Sequence, residues 1–270
     1  MMNPQLDRFF EAVVDLCGDL YRLGWAENHA GNLSYRLSDD ERRLFGEGDQ
    51  RRTVTLDEPL PALAGESFLV TSAGSPFRLL VKEPRRHTGV IDMASDGGSY
   101  DIVWGLIGDR RPTSELPAHL RGHAERGVVD PENRVVLHCH PTHLVAMTHV
   151  HPLDEVAFTR ALWATNSESI LAIPEGIGLL PWMVCGTDTI GIESARKFRE
   201  VSVVVWPYHG VLVGGRSLQA AMGMVESVDK AAETWLLSRG PEQHAIEEDQ
   251  LRELAEEFDI HPPARFLSRS

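Results

Sequence analysis

Cysteine is scarce in this chain of 270 residues. The three cysteines, Cys17, Cys139 and Cys185, lie far apart and form no C-x-x-C pair. An odd and sparse set argues against a disulfide framework and fits a reducing cytoplasm. We expect Cys17 and Cys185 to be buried, because free cysteine usually behaves as a small apolar side chain.

Long apolar runs and an excess of basic residues are also missing. No stretch approaches the ~20 consecutive apolar residues of a membrane span, so we expect neither a span nor a secretory signal. The formal net charge is -14, from 26 basic and 40 acidic residues, which argues against a nucleic-acid partner. If the substrate is an anion, its charge must be met locally by backbone N–H groups, hydroxyls or a metal.

The hydrophobic spacing predicts a mixed α/β chain. Helical spacing over 5–23 predicts an amphipathic first helix that Gly24 closes, and the charges of 38–52 predict a solvated loop. Strands are expected at 32–37, 53–56, 67–72, 89–93, 100–105, 134–140, 201–206 and 210–215, and further helices at 114–126, from Pro141, and at 153–165, 188–200, 217–238 and 246–258. We find neither an internal repeat nor a linker. Residues 1–270 should therefore form a single domain, with a central, mostly antiparallel sheet covered by helices on both faces.

The sharpest local feature is His138-Cys139-His140 at the end of a predicted strand. Side chains alternate along a strand, so His138 and His140 should share one face and Cys139 the other. Two imidazoles on one face can chelate a divalent cation, although two hydrogen-bonded core histidines would give the same pattern. A second His-x-His pair, at 149–151, follows a helical stretch and precedes a proline, so we interpret it as structural or exposed.

A catalytic zinc usually has three protein ligands and one open position. The sequence leaves four candidates for a third histidine: His119, His123, His143 and His209. His143 lies just past Pro141, where the chain would have to bend sharply to face back. His209 is geometrically plausible, because the turn WPYHG would present its ring at the end of an apolar strand.

Three loops could bind an anion through backbone N–H groups. Thr113-Ser114-Glu115 precedes a helix, whose N-terminus favours negative charge. On its own this pattern is more typical of a helix cap, in which Thr113 or Ser114 would be the capping residue. Gly31-Asn32 and Ser72-Ala73-Gly74 are the other two loops, and each is also compatible with an ordinary turn.

Taken together and in this order, the segments resemble the class II aldolase family. The matching segments span about residues 20–230: NHAGNLSYRL, FLVTSAG, SDGGSYDIVWGL, RPTSELPAHL, VVLHCHPTHLVAMT, PEGIGLLPWMVCGTD and VVWPYHGV. The segment GLLPWMVCGTD favours the rhamnulose branch over the fuculose aldolase and pentulose epimerase branches. One departure is Ala73, where related enzymes commonly carry a hydroxyl.

The resemblance implies a role for each matching residue. It implies zinc on His138, His140 and His209, and it makes Glu115 the catalytic carboxylate, which acts as general base and contacts the zinc when substrate is absent. It suggests Glu168 as a second acid or base that reaches the site of a neighbouring subunit in a homotetramer. It places the substrate phosphate near Gly31, Asn32, Ser72, Gly74, Thr113 and Ser114.

The implied activity is a zinc-dependent lyase reaction in rhamnose degradation: reversible cleavage of L-rhamnulose 1-phosphate to dihydroxyacetone phosphate and L-lactaldehyde. No lysine stands in the matching segments, which fits an aldolase that uses a metal and not a Schiff base. The alternatives within the family are a fuculose-phosphate aldolase and a pentulose-phosphate 4-epimerase. An alternative from another class is a non-catalytic interaction module like the adducin head. A cupin-like barrel is contradicted by the long predicted helices.

Overall fold

The computed structural model describes residues 4–46, 51–80, 82–240 and 244–267 as a mixed α/β chain. The strands are β1 (Asn32–Leu37), β2 (Arg52–Thr55), β3 (Ser67–Thr71), β4 (Thr88–Met93), β5 (Ser99–Gly105), β6 (Val135–Cys139), β7 (Gly178–Leu179), β8 (Val203–Trp206) and β9 (Gly210–Gly215). The helices are α1 (Pro4–Arg22), α2 (Asp39–Leu44), α3 (Phe77–Leu80), α4 (Pro84–His87), α5 (Leu116–Val129), α6 (Thr142–Val150), α7 (Glu155–Trp163), α8 (Ser167–Ala172), α9 (Asp188–Phe198), α10 (Leu218–Leu237) and α11 (Glu248–Glu257).

The strands form one sheet in the order β2-β5-β4-β3-β1-β6-β9-β8-β7, counted within the described ranges. Neighbouring strands are antiparallel except for β7 and β8, which are parallel. Strand β6 lies near the middle, between β1 and β9. His138 of β6 pairs with Asn32 on one side and Leu212 on the other. The register thus brings the ends of three strands together around the His-x-His pair.

Helices cover both faces of this sheet, as predicted. Leu137 and Cys139 of β6 belong to the larger core, to which α1, α6 and α10 contribute buried side chains. Val136 belongs to a smaller core shared with α5 and α9. His138 lies two residues after Val136 on the strand and therefore faces the same side, that of α5, while Cys139 points the opposite way. No helix in the described part of the chain is long and apolar enough to cross a membrane.

The predicted strand over 134–140 ends one residue early, at Cys139. The backbone N–H of His140 leaves the sheet and donates to the carbonyl of Trp25 at 2.8 Å. Pro141 follows and supplies no N–H of its own, so the ladder cannot continue. His140 is therefore held by the segment that precedes β1, and not by β9.

The prediction of a solvated loop over 38–52 is wrong in its first part, because Asp39–Leu44 is helix α2. The Ser38 hydroxyl accepts from the backbone N–H of Glu41, and the Glu41 carboxylate accepts from that of Ser38. This reciprocal capping box starts a short helix that has no buried residue. Residues 47–50 lie outside the described ranges.

The predicted cap of the helix over 114–126 is also wrong. Helix α5 begins at Leu116, and its N-cap position is Glu115, whose side chain makes no capping hydrogen bond. Thr113 does accept from the Glu115 backbone N–H at 3.2 Å, which fixes the turn that precedes the helix. The consequence is that Glu115 stands just before the helix with its carboxylate free to face the sheet.

Candidate metal centre

Each ring of the His138–His140 pair has one nitrogen hydrogen-bonded to an oxygen of the protein. Nδ1 of His138 lies 2.9 Å from the carbonyl oxygen of Val211, and Nδ1 of His140 lies 2.9 Å from the carboxylate of Glu27. Both oxygens accept, so both Nδ1 atoms carry the hydrogen. Burial lowers the pKa of His138 well below its usual range, and the neighbouring His140 and His209 lower it further. His138 is therefore neutral, with a bare lone pair on Nε2.

The two Nε2 atoms converge at a distance of 3.2 Å. In its neutral form each Nε2 is an acceptor, and two acceptors cannot hydrogen-bond to each other. This is the arrangement in which two ring nitrogens can share one cation. Holding the distal nitrogen of each ring to an oxygen is also the way in which proteins orient metal-binding histidines.

A strained turn brings a third imidazole to the pair. Tyr208 lies between β8 and β9 with a φ of 64°, an uncommon conformation for a non-glycine residue, and its N–H donates to the Thr148 hydroxyl at 3.0 Å. The turn places one ring nitrogen of His209 in a cluster with those of His138 and His140, all within 4.8 Å of one another. Three imidazoles around one point match the protein donor set of a catalytic zinc.

Gly210 makes this close approach possible. A Cβ atom at this position would lie 2.4 Å from the carbonyl oxygen of Cys139, 2.8 Å from a ring carbon of His140 and 3.1 Å from a ring carbon of His138. The first of these contacts is with backbone and cannot be relieved by a rotamer change. The glycine of WPYHG is thus required by the packing of the histidines themselves.

Glu115 lies beside the histidine cluster and is only 7% exposed. Its Oε2 is 3.5 Å from Nε2 of His138 and accepts a hydrogen bond from the side-chain amide of Asn32 at 2.7 Å. The carboxylate therefore lies beside the point at which the ring nitrogens converge, close enough to act on a molecule bound there.

A buried hydrogen-bonded chain runs from Glu115 into the core. Because the Asn32 amide nitrogen donates to Glu115, its oxygen must accept from Nε2 of His119. Nδ1 of His119 then accepts from the Ser34 hydroxyl at 2.7 Å, and that oxygen accepts from Nε2 of His123 at 2.8 Å. Burial lowers the pKa of His119 to about 3, and it lowers that of His123 well below its usual range. Two candidates for the third metal ligand are thus neutral members of this chain.

The loop after β3 forms a second polar region near the start of α5. Ser72 forms an isolated bridge with Pro112, and the Thr113 N–H donates to the Thr71 carbonyl at 2.9 Å. The guanidinium of Arg110 donates to the hydroxyls of Ser72 at 3.3 Å and Ser75 at 3.1 Å. A fixed positive charge therefore lies on a loop that the sequence indicated only for its backbone and hydroxyls.

Comparison with known proteins places this geometry in a family. The family described as Class II Aldolase and Adducin N-terminal domain matches residues 11–236. The chain belongs to this family. Rhamnulose-1-phosphate aldolase of Listeria monocytogenes serovar 1/2a is 41% identical over 263 residues, or 96% of each chain. The protein of that name from Enterococcus faecalis is 38% identical and covers 98% of this chain and 96% of its own.

Solved structures agree with this class II aldolase fold. A sugar-phosphate aldolase from Thermotoga maritima superposes with a TM-score of 0.74 at 26% identity, covering 88% of this chain and 99% of its own. An L-fuculose 1-phosphate aldolase superposes with a TM-score of 0.61 at 17% identity, covering 96% and 99%. The second likeness shows the fold alone. The predicted fold class, an α/β fold with a mostly antiparallel sheet between helices, is confirmed.

Other residues singled out in the sequence lie apart from the three histidines of this class II aldolase family member. His143 donates to Asp229 through Nδ1 at 2.8 Å and belongs to the α6–α10 contact. His149 is exposed and contacts Tyr208, as expected for a histidine outside the site. Glu168 is exposed in the first turn of α8, so its role stays a prediction.

The expected phosphate-binding residues occupy three adjacent segments. Gly31, with a φ of 79°, would place a Cβ 3.3 Å from the His138 carbonyl, so it packs directly against β6. Gly74 is exposed with open space around it, and Ser114 is exposed beside Gly186. Asn32 is the exception, since its amide is engaged by Glu115 and His119 and positions the carboxylate.

Cys185 overturns an expectation. Cys17 is fully buried as predicted, but Cys185 is exposed, because it lies in the turn between β7 and α9. Its Sγ, a carboxylate oxygen of Glu115 and a ring nitrogen of His209 lie within 4.8 Å of one another. Neither Cys185 nor Arg110 was predicted from the sequence to lie near the site, since each reaches it only through the folding of a loop.

Proposed function

We propose that this chain is a zinc-dependent aldolase that reversibly cleaves L-rhamnulose 1-phosphate to dihydroxyacetone phosphate and L-lactaldehyde. The relatives of that name, at 38–41% identity over nearly the whole chain, support the substrate. The observation that carries the chemistry is the pair of Nε2 lone pairs of His138 and His140 at 3.2 Å, with a third imidazole beside them.

The donor set fits zinc. His138, His140 and His209 would hold the ion through one nitrogen each and leave a side open toward Glu115. When bound, zinc would act as a Lewis acid on the carbonyl and hydroxyl oxygens of the substrate. Glu27 and the Val211 carbonyl would keep two of the rings in the orientation that binding requires.

Glu115 is the proposed general base. Its carboxylate would move a proton to and from the hydroxymethyl carbon of the substrate, and Asn32 would hold its Oε2 toward the site. A second group must exchange a proton with the aldehyde oxygen. We assign this role to Glu168 of a neighbouring subunit in a homotetramer, since its carboxylate is exposed on α8 and available to a partner.

The phosphate end is proposed at the loops that contain Gly31, Ser72, Gly74, Thr113 and Ser114, with Arg110 added. The net charge of -14 repels an anionic substrate, so a local cation is needed. The Arg110 guanidinium lies on the Ser72–Ser75 loop and also contacts the carbonyl of Ala73 at 3.3 Å. It supplies a charged donor beside the position at which Ala73 lacks a hydroxyl.

We expect Arg110→Ala to raise KM for the ketose phosphate by about 10-fold or more, because a hydrogen bond to a charged group contributes about 1.5–3 kcal/mol. The rate constant kcat should change much less, since Arg110 takes no part in the proposed proton transfers. Steady-state kinetics measure both. Arg111→Ala is the matched control, because the Arg111 side chain is exposed and lies beside Tyr100 and β2. An unchanged KM in Arg110→Ala would remove Arg110 from phosphate binding.

The decisive experiment combines metal analysis with a substrate panel. Protein purified without chelator should hold ~1 zinc per chain, lose activity with the metal, and regain it on addition of zinc. Release of dihydroxyacetone phosphate should be fastest from L-rhamnulose 1-phosphate among a panel that includes L-fuculose 1-phosphate and a pentulose phosphate. Epimerisation of the pentulose phosphate without aldol cleavage would assign the chain to another branch of the family.

Absence of bound metal, with no response to added metal, would favour the adducin-like interaction module. That alternative is disfavoured by the site itself. A module without chemistry has no use for three convergent imidazoles, a carboxylate 3.5 Å from one of them and a buried chain that orients it.

A further inference from the structure

The turn that carries His209 has a tyrosine at a position where glycine is usual. The N–H of His209 donates to the carbonyl of Trp206 at 3.1 Å and closes a four-residue turn, in which Tyr208 takes the third position with a φ of 64°. A positive φ at that position is typical of a type II turn and favours glycine, because a side chain there adds strain. A contact from outside the turn is therefore needed to hold Tyr208 in this conformation.

Thr148 of α6 supplies that contact. Its hydroxyl accepts from the backbone N–H of Tyr208 at 3.0 Å and donates to the carbonyl of Val145, one helical turn earlier, at 2.7 Å. The side chain of Thr148 is only 2% exposed. Because Val145 takes the one hydrogen of the hydroxyl, the oxygen is a fixed acceptor for the turn.

Helix α6 connects the segments that carry two of the proposed metal ligands. It begins two residues after His140, and Asp229 of α10 accepts from two backbone N–H groups of its first turn at 2.8 and 3.0 Å. Its last turn carries Thr148, which binds the residue before His209. A nine-residue helix that is fixed to α10 at one end and to the turn at the other sets the position of His209 relative to His140.

We propose that Thr148 is a positioning residue for the metal centre, whose hydroxyl holds the strained turn so that the His209 ring faces the His138–His140 pair before a metal binds. The inference rests on the metal centre of the proposed function. Thr148 acts through the backbone of Tyr208. Without the hydroxyl the turn can relax to a less strained conformation, and metal binding then has to restore the positive φ. Loss of this preorganisation should weaken metal binding.

Zinc affinity, measured by competition with a chelator, tests this role without an activity assay. Thr148→Val keeps the shape of the side chain but removes the hydroxyl, and it should weaken zinc binding by about 3–10-fold, the effect of one hydrogen bond. Thr148→Ser keeps the hydroxyl, so it should bind zinc within about 2-fold of the unaltered protein. Thr148→Ala, which also lacks the hydroxyl, takes the place of Thr148→Val if the buried valine prevents folding.

Thr159→Val is the matched control, because Thr159 is also a buried threonine in a helix and makes the same kind of bond. Its hydroxyl accepts from the backbone N–H of Ile177 at 3.2 Å, and it lies on α7, which carries none of the three proposed metal ligands. This variant should lower the unfolding temperature of the metal-free protein and leave zinc affinity unchanged.

The outcomes separate this inference from the proposed function. Unchanged zinc affinity in Thr148→Val, or equal losses in Thr148→Val and Thr148→Ser, would overturn the role of the hydroxyl and leave the metal centre in place. An equal loss in Thr159→Val would mean that any loss of stability weakens the site, and it would overturn that role as well. Absence of zinc binding by the unaltered protein would overturn the metal centre itself, and this inference with it.

Discussion

Replacement of Glu115 by glutamine should lower kcat by about 10²–10⁴-fold, the usual contribution of a positioned acid or base, and leave the metal content unchanged. Glutamine has nearly the size and shape of glutamate but cannot take up a proton at neutral pH. The carboxylate is 7% exposed and 3.5 Å from Nε2 of His138. The variant therefore isolates loss of the base from loss of the site.

The environment of Glu115 should accept the amide. Asn32 donates to Oε2 at 2.7 Å, and the carbonyl oxygen of a glutamine can accept the same bond. The chain behind Asn32 fixes the direction in which its amide points, because His119 is a neutral donor to the Asn32 oxygen. Binding of substrate should thus persist, and KM should change far less than kcat.

Three measurements on Glu115→Gln decide the role: steady-state kinetics, metal analysis and thermal unfolding. Glu125→Gln is the matched control, since Glu125 lies on α5, the helix that Glu115 precedes, and pairs with Arg199 at the surface. Near-normal turnover in Glu115→Gln would exclude Glu115 as the base. Loss of metal together with turnover would instead make Glu115 a necessary ligand.

Long elements could be predicted from the sequence because each has a hydrophobic period of its own. Strands β1 and β9 match their predicted bounds, and α1 begins and ends within one residue of the predicted 5–23. Helices α3, α4 and α8 and strand β7 were not predicted, because two to six residues are too few to show a period. Helix α2 did carry a signal, the S-x-x-E of its capping box, which the high charge of the segment obscured.

The centre of the site could be predicted in part, for a different reason. His138 and His140 are two residues apart, so strand geometry alone brings them together, and WPYHG contains its own turn. The link between Glu115 and Asn32, 83 residues apart, depends on the packing of α5 over β1 and has no local signature. The same holds for Arg110 on the Ser72 loop and for Cys185, which was expected in the core and is exposed instead.

The third ligand is the choice that the sequence left open, and His209→Ala tests it. Loss of a metal ligand should weaken zinc binding by more than ~100-fold, because loss of a mere outer-shell partner already costs 10–100-fold in affinity. The structure gives the reason for choosing His209. Its ring nitrogen lies within 4.8 Å of those of His138 and His140, whereas His143 is held by Asp229.

His143→Ala is the matched comparison, since it removes the same side chain from the rival candidate. The variant should keep the metal but unfold at a lower temperature. Asp229 loses the hydrogen bond from the His143 ring at 2.8 Å and keeps the one from the backbone N–H of Leu144 at 3.0 Å. Competition with a chelator measures zinc affinity in both variants, and thermal unfolding of the metal-free proteins measures stability. Full zinc affinity in His209→Ala with loss in His143→Ala would reverse the assignment. Loss in both would mean that the α6–α10 contact supports the centre through the packing of the segment that follows His140.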